Sequence, residues 1–420
     1  MGFKKRFFNV CLVGIVMAGL IILAGPQTGR CEAPIRIGMI DSYSGATSFI
    51  TKLALSGWQL AIGEFNAKGG LNGRKIEIIT RDDKFKADEA LAHARELVLK
   101  ENVDFLAGTI NSSAALAVSE FAKTKKKIFM VHAAYTHRLT GELGHRYVFR
   151  SCQSADIIGQ SGGAFAGSKP YKKWYIIGDD FELGHSLADN FKKGLKKANP
   201  NAVIVGESWV KLGETDYTPY LSSVMAQKPD AVFCCFGGAS HIPFPKQAKM
   251  FGLFDKVAYF HYWLADPLFA QVLKESYPVG AYSGLSYFWY YPEIPANKEF
   301  RKRYLDYTTQ KGDPQQYPGE GVLAGYSGAR FLIEAMLKAK SAKTEDVIKA
   351  LEGLTIQTAS GPQTMRACDH QVLAPVFWGQ IANVPNYPFP IMKDIYTAHL
   401  KEITPTCEEV AAARKAHTAK

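Results

Sequence analysis

The sequence predicts an α/β protein built as two doubly wound parallel-sheet lobes, on three observations. Short apolar strands alternate with amphipathic helices; the alternation runs twice, with a seam near Arg150–Ser154; and the spacing suits right-handed crossovers covering both sheet faces.

In the first run, Ile35–Ile40 reads as a strand. From about Thr51, Leu55, Trp58, Ile62 and Phe65 recur at helical spacing, and Lys68-Gly69-Gly70 ends that helix with a basic last turn and glycine. Lys75–Thr80 is a strand, and Ala87–Leu99 is a helix with Leu91, Ala94, Leu97 and Val98 inward. Asp104–Gly108 is a strand, Ser113–Lys123 a helix and Ile128–His132 a strand. The second run predicts strands at Trp174–Ile177, Ala202–Ser208, Ala231–Cys235 and Val257–Phe260. Its helices fall at Ser186–Lys197, Tyr217–Gln227 and Pro245–Phe251. A long helix over Gly319–Lys338, another over Thr344–Gly353 and an irregular tail from Gly361 complete the chain.

Residues 1–24 carry Lys4, Lys5 and Arg6, then an apolar run from Phe7 to Ala24. With Asn9 inside it, the run is short for a bilayer core, which takes about 20 apolar residues, and it reads as a signal peptide. Cleavage is expected between 24 and 33. Cys31 is not read as a lipoprotein cysteine, because Arg30 precedes it where a small residue is needed. Export leaves roughly 390 residues, enough for two lobes. The net charge of +11 is spread singly or in pairs over helix faces, with no aromatic interleaving, which argues against nucleic acid.

Adjacent Cys234 and Cys235 on one strand point to opposite faces and read as buried thiols. No cysteine or histidine spacing suits a metal, and His132, His137 and His145 fit no ligand motif. Cys368 and Cys407, in the tail of an exported chain, are the expected disulfide.

Ligands of open parallel sheets bind beyond the carboxyl ends of strands, so the loops there are read first. They supply Phe49, then Asn111, Ser112 and Ser113, then Ala134, Tyr135 and Thr136. The second run adds Phe181, Leu183 and Gly238, then His261, Tyr262 and Trp263. The Asn111-Ser112-Ser113 turn opens a helix and suits a carboxylate, although plain N-capping is the commoner use of such residues. Tyr287–Tyr291 reads as a buried strand or as cleft lining, and Asp82-Asp83 as a strand-end turn.

Four stretches resemble the periplasmic solute-binding proteins of the leucine/isoleucine/valine type that feed ABC importers. They are Ile35-Arg36-Ile37-Gly38 with Ser44-Gly45; Ala61-Ile62 through Asn66-Ala67-Lys68-Gly69-Gly70-Leu71-Asn72-Gly73-Arg74; Arg81-Asp82-Asp83; and Gly108 through Ser112-Ser113. Gly361-Pro362 through Met365-Arg366 to Asp369-His370-Gln371 looks like the family's tail. The resemblance implies a type I periplasmic-binding fold with a three-crossover hinge. Lobe 1 would take 34–151 plus 283–361, and lobe 2 would take 152–282 plus 362–420. It implies that Ser112 and Thr136 hold the polar head of a ligand, and that the closed form meets an inner-membrane permease. The protein would be a monomer in the periplasm, without cofactor or catalysis.

The chain also departs from that pattern. Where the family's amino-acid binders carry a second-lobe carboxylate, this sequence has His261-Tyr262-Trp263, with no acid before Asp266, which is expected to cap the next helix. The expected ligand is therefore a monocarboxylate or amide with an apolar or aromatic body rather than a branched-chain amino acid. A ligand-sensing receptor subunit is the alternative use of the fold. An exported hydrolase would need a converging nucleophile and base, and Gly238-Ala239-Ser240-His241 lacks the nucleophile-elbow pattern.

Overall fold

Five parallel strands in the order β2-β1-β3-β4-β5 form the first sheet. In this computed structural model, which describes residues 33–419, they are β1 (Ile35–Asp41), β2 (Ile76–Asp82), β3 (Phe105–Gly108), β4 (Phe129–Val131) and β5 (Val148–Arg150). The leader expectation, with Cys31, lies outside the described residues apart from Ala33. Helices α1 (Ser48–Ala67), α2 (Ala87–Leu99) and α3 (Ser112–Thr124) make the crossovers. Trp58, Ile62 and Phe65 of α1 are buried as their spacing predicts, and Leu55 is half-buried. Gly70 closes α1 at φ 71°, with its N–H on Phe65 O at 3.1 Å; a Cβ there would meet Arg74 O at 2.1 Å.

The second run is built from α4 (Ala155–Gly167), β6 (Lys173–Asp179), α5 (Glu182–Ala198), β7 (Val203–Val210), α6 (Thr218–Ala226) and β8 (Ala231–Cys235). It continues through α7 (Pro243–Met250), β9 (Ala258–Tyr262), α8 (Pro267–Leu273) and β10 (Tyr282–Leu285). The sequence pattern gave no sign of α4, because Gly159, Gly162, Gly163 and Gly167 make it a poor helix by propensity. Packing decides instead: a Cβ on Gly163 would lie 2.3 Å from Leu195 N, and one on Gly194 would lie 2.4 Å from Gln160 O. Glycine lets α4 and α5 touch backbone to backbone.

Helices α9 (Pro295–Gln310), α10 (Glu320–Ala339) and α11 (Thr344–Leu351) return to the first lobe, where α10 packs on α1. The expected irregular tail is regular. Strands β11 (Thr355–Thr358), β12 (Gly361–Met365) and β13 (Val372–Leu373) form a small antiparallel sheet. Strands β14 (Phe377–Ala382) and β15 (Ile391–Thr397) extend the second sheet to the order β15-β14-β10-β9-β8-β6-β7, and α12 (Leu400–Ile403) and α13 (Cys407–Thr418) follow. Prolines at 362, 375, 385, 388 and 390 break the tail's apolar pattern into apparent loops. Fully buried Trp378, held by its indole N–H on Ser161 Oγ at 3.0 Å, fixes β14. Tyr287–Tyr291 forms no strand: it is a tight turn whose Phe288 bridges Tyr291.

The chain crosses between the lobes three times: after β5, after β10 and after β13. Buried Arg150 pins these crossings. Its Nε donates to Gln371 Oε1 at 2.6 Å, and its other nitrogens donate to Thr140 Oγ1 at 2.7 Å and Thr136 O at 2.5 Å. Gln153 Nε2 donates to Ala374 O at 2.6 Å, tying the first crossing to the third. Cys368 and Cys407 are disulfide-bonded, with Cα atoms 5.8 Å apart, and Cys152, Cys234 and Cys235 are buried free thiols.

Candidate functional site

Polar residues crowd the strand ends of the first sheet and satisfy one another. The indole N–H of Trp58 donates to His132 Nδ1 at 3.2 Å, which leaves the proton on Nε2, and Nε2 donates to Asp41 Oδ2 at 3.0 Å. Asp41 Oδ1 accepts from the backbone N–H groups of Ser42 and Ile110, at 3.0 and 2.9 Å. Asp83 accepts from the hydroxyls of Ser42 at 2.5 Å and Thr109 at 2.9 Å, while burial pushes its carboxyl upward. This cluster holds the loops in place and leaves little for a ligand.

Asn111, not a serine, caps α3: its Oδ1 accepts from Ser113 N and Ala114 N at 2.9 and 3.1 Å. Ser112 is buried, with its Oγ accepting from Thr136 N at 3.3 Å, and Ser113 is exposed. The Thr136 hydroxyl donates across the cleft to Glu182 Oε1 at 2.6 Å. Arg138 reaches Glu182 Oε2 at 3.4 Å, and His137 Nδ1 pairs with Ser186 Oγ at 2.6 Å. These contacts form a polar clasp between the lobes. Ala134 is buried behind it, and half-buried Phe181 meets Phe85 edge-on at 6.2 Å.

Inside the clasp, both lobes wall a cavity of about 60 Å³. The first lobe contributes Ile50, Leu53 and Ala54 of α1, Ile110, His132, Ala133, Tyr135, and Glu320 of α10. The second contributes Leu183, Gly237, His241, Trp263, Asp266, Leu268 and Phe269. Of the residues chosen from sequence, Tyr135, Leu183 and Trp263 are brought together here. Trp263 meets Tyr135 edge-on at 5.0 Å. Its φ of 69° is rare for a bulky residue and marks a backbone held against its preference. Phe49 packs against the second lobe's core beside the cavity, and Gly238 adjoins its lining residue Gly237. His261 and Tyr262 stand one layer back. His261 stacks on His241 with ring centroids 4.9 Å apart, and the Tyr262 hydroxyl points at Glu320 Oε1 at 3.5 Å.

The expectation of a carboxylate-free second-lobe wall is corrected. Asp266 caps α8 through Leu268 N at 3.1 Å, as expected, yet it also lines the cavity and accepts from Glu320 N at 2.9 Å. A Cβ on Gly319 would sit 2.2 Å from Asp266 Oδ2, so glycine opens the way for that contact. Glu320, too distant in sequence to be paired with this site, accepts from Ser286 N at 3.1 Å. Burial pushes Asp266 up to about 6 and Glu320 up to about 7. His241 is 3% exposed, its Nδ1 has no hydrogen-bond partner among the described residues, and burial pushes it down to about 3, so the ring is neutral. Sequence reasoning passed over it because Ser240-His241 was weighed only as a nucleophile motif.

A family model described as periplasmic binding protein matches residues 34–384. The leucine-specific-binding protein of Salmonella typhimurium strain LT2 is 23% identical over 351 residues, covering 83% of this chain and 90% of the relative. A solute binding protein of an ABC transporter from Rhodopseudomonas palustris BisB5, solved in complex with 3,4-dihydroxybenzoic acid, matches with a TM-score of 0.78. It is 24% identical, and the match covers 87% of this chain and 98% of that one. An ABC-type branched-chain amino acid transporter protein from R. palustris CGA009 matches with a TM-score of 0.70 at 25% identity, covering 89% and 99%.

Proposed function

The chain belongs to the periplasmic binding protein family, and we propose that it captures a small aromatic or apolar-bodied acid between its lobes for an ABC importer. The observation that carries this reading is the interlobe cavity, walled from both sides and dominated by Tyr135, Leu183, Trp263 and Phe269. Aromatic walls favour a flat ring, which they contact edge-on or offset-stacked. One structural relative holds 3,4-dihydroxybenzoic acid, which is of that class. Ligand binding would draw the lobes together about the three crossings, with the Thr136–Glu182 clasp closing over the solute, and the closed form would be the one a permease meets. In this reading Thr136 acts on the ligand through closure while Ser112 Oγ steadies its backbone N–H, in place of the direct hold on the polar head that the resemblance implies for both, and the leader directs export.

A thermal-shift and calorimetry series of benzoate, 4-hydroxybenzoate, aliphatic acids, amides and leucine tests the proposal. Binding at a hundredfold excess over Kd stabilises the protein by about 2.7 kcal/mol. Aromatic acids are expected to give that shift. Tight binding of leucine with none of benzoate or 4-hydroxybenzoate would overturn the reading.

A further inference from the structure

Beyond the three crossings, the chain passes between the lobes once more, after α12. That helix belongs to the second lobe: Ile403 is buried in the lobe's core, and Lys197 Nζ of α5 donates to Glu402 O at 3.2 Å. Two residues on, the first lobe takes hold. Pro405 O accepts from Arg366 Nη1 at 2.8 Å, and Cys407 opens α13 bonded to Cys368. Arg366 and Cys368 lie in the β12–β13 turn, which is fastened to β5. There His370 Nδ1 donates to Val148 O at 3.0 Å, and Arg150 N donates to His370 O at 3.0 Å.

Farther along α13, Arg414 donates to three backbone carbonyls: Nε to Gly141 O at 3.0 Å, Nη2 to Thr140 O at 2.9 Å and Nη1 to Cys368 O at 3.2 Å. A Cβ on Gly144 would collide with Arg414 Nη2, so glycine there makes room for the guanidinium. Thr140 and Gly141 follow the helical turn His137–Leu139, which begins at the clasp residue Thr136. Helix α13 therefore grips the same piece of the first lobe that clasps Glu182 and Ser186 of α5. Between that turn and α4 lies a second interlobe cavity, of about 500 Å³, with Gly141 and Glu142 on one side, Asp156 and Gln160 on the other, and the tail across it.

We propose that α12 and α13 form a disulfide-anchored strap that restrains opening of the lobes and raises the population of the closed, ligand-holding form. The clasp is shut and the strap seated in the same conformation, so parting the lobes must stretch the strap or unseat α13. Little stretch is available, because the two residues from Ile403 to Pro405 reach at most about 7 Å. Apparent affinity scales with the fraction of protein in the binding-competent state, so a loosened strap weakens binding. The inference rests on capture by lobe closure, as proposed above, and not on which acid is captured.

Small-angle scattering of the ligand-free mature chain tests it, comparing the unaltered protein with Cys368→Ser/Cys407→Ser, with Arg414→Gln and with the triple variant. Circular-dichroism melts establish which variants are folded, and Arg414→Gln keeps the disulfide should its loss prevent folding. The expected result is a larger radius of gyration in each variant, greatest in the triple one. Calorimetry with 4-hydroxybenzoate should then show about fivefold weaker binding or more in the triple variant. An unchanged radius in the folded variants overturns the inference, and so does tighter binding. If no form binds 4-hydroxybenzoate or any other acid, the acid reading fails while the scattering still decides the strap.

Discussion

The strand ends of the two sheets hold similar residue types and use them in opposite ways. In the first lobe, Asp41, Asp83, Ser42, Thr109, His132 and Trp58 form a closed set in which each buried carboxylate has its donors. In the second, Asp179 is matched by Ser240 and Gly237 N–H, but His241 Nδ1 and His261 Nε2 have no partner among the described residues. A polar residue at a strand end is therefore no sign of a ligand contact in itself. Capacity left unused in a buried wall is the more telling sign, because an unpaired buried polar group costs stability until something fills it.

The largest expected effect breaks the closed set. Asp41→Ala strands the His132 Nε2 proton and the Ile110 and Ser42 N–H groups, and should destabilise by about 3–5 kcal/mol in urea unfolding. A loss under about 1 kcal/mol would mean the network is not the lobe's anchor.

Glu320 gives the next effect, through pH. Its folded value of about 7 lies above the unfolded carboxyl's, so between those values the folded state holds the extra proton and stability falls as pH rises. Relative to Glu320→Gln, the ligand-free protein should lose roughly 3 kcal/mol between pH 4.5 and 7.5, at about 1.4 kcal/mol per unit. Parallel stability curves for the two proteins would contradict this.

His241→Phe sharpens the contrast by sign. Removing an unsatisfied group should leave melting unchanged or raise stability by about 1–2 kcal/mol, whereas ligand affinity should fall. Destabilisation comparable to that of Asp41→Ala would erase the difference between the lobes.

The smallest effect belongs to the clasp. Thr136→Val removes a hydrogen bond to a half-buried carboxylate and should weaken ligand binding by about 1 kcal/mol, with little change in ligand-free melting. Unchanged affinity would show that this contact takes no part in closure.

The alternation of strands and helices was legible from residue to residue because burying one face of each helix and both faces of a parallel sheet imposes a local period. Hence α2 falls at Ala87–Leu99 and β8 at Ala231–Cys235, the limits read from the pattern, and the Cys368–Cys407 bond is the one expected from reading the chain as exported. Elements whose reason is a distant partner were not legible: α4, whose glycines make sense only against α5, and β14, which Trp378 anchors between Gly162 and Gly284. The site divides the same way. The sequence by itself supplied the loops and three residues of the cavity wall, since chain direction fixes which end of a parallel sheet faces the cleft. That Asn111 rather than Ser112 caps α3, that Thr136 is engaged by Glu182, and that Glu320 meets Asp266 were decided by tertiary structure alone, because each is a choice among competing donors that only proximity makes.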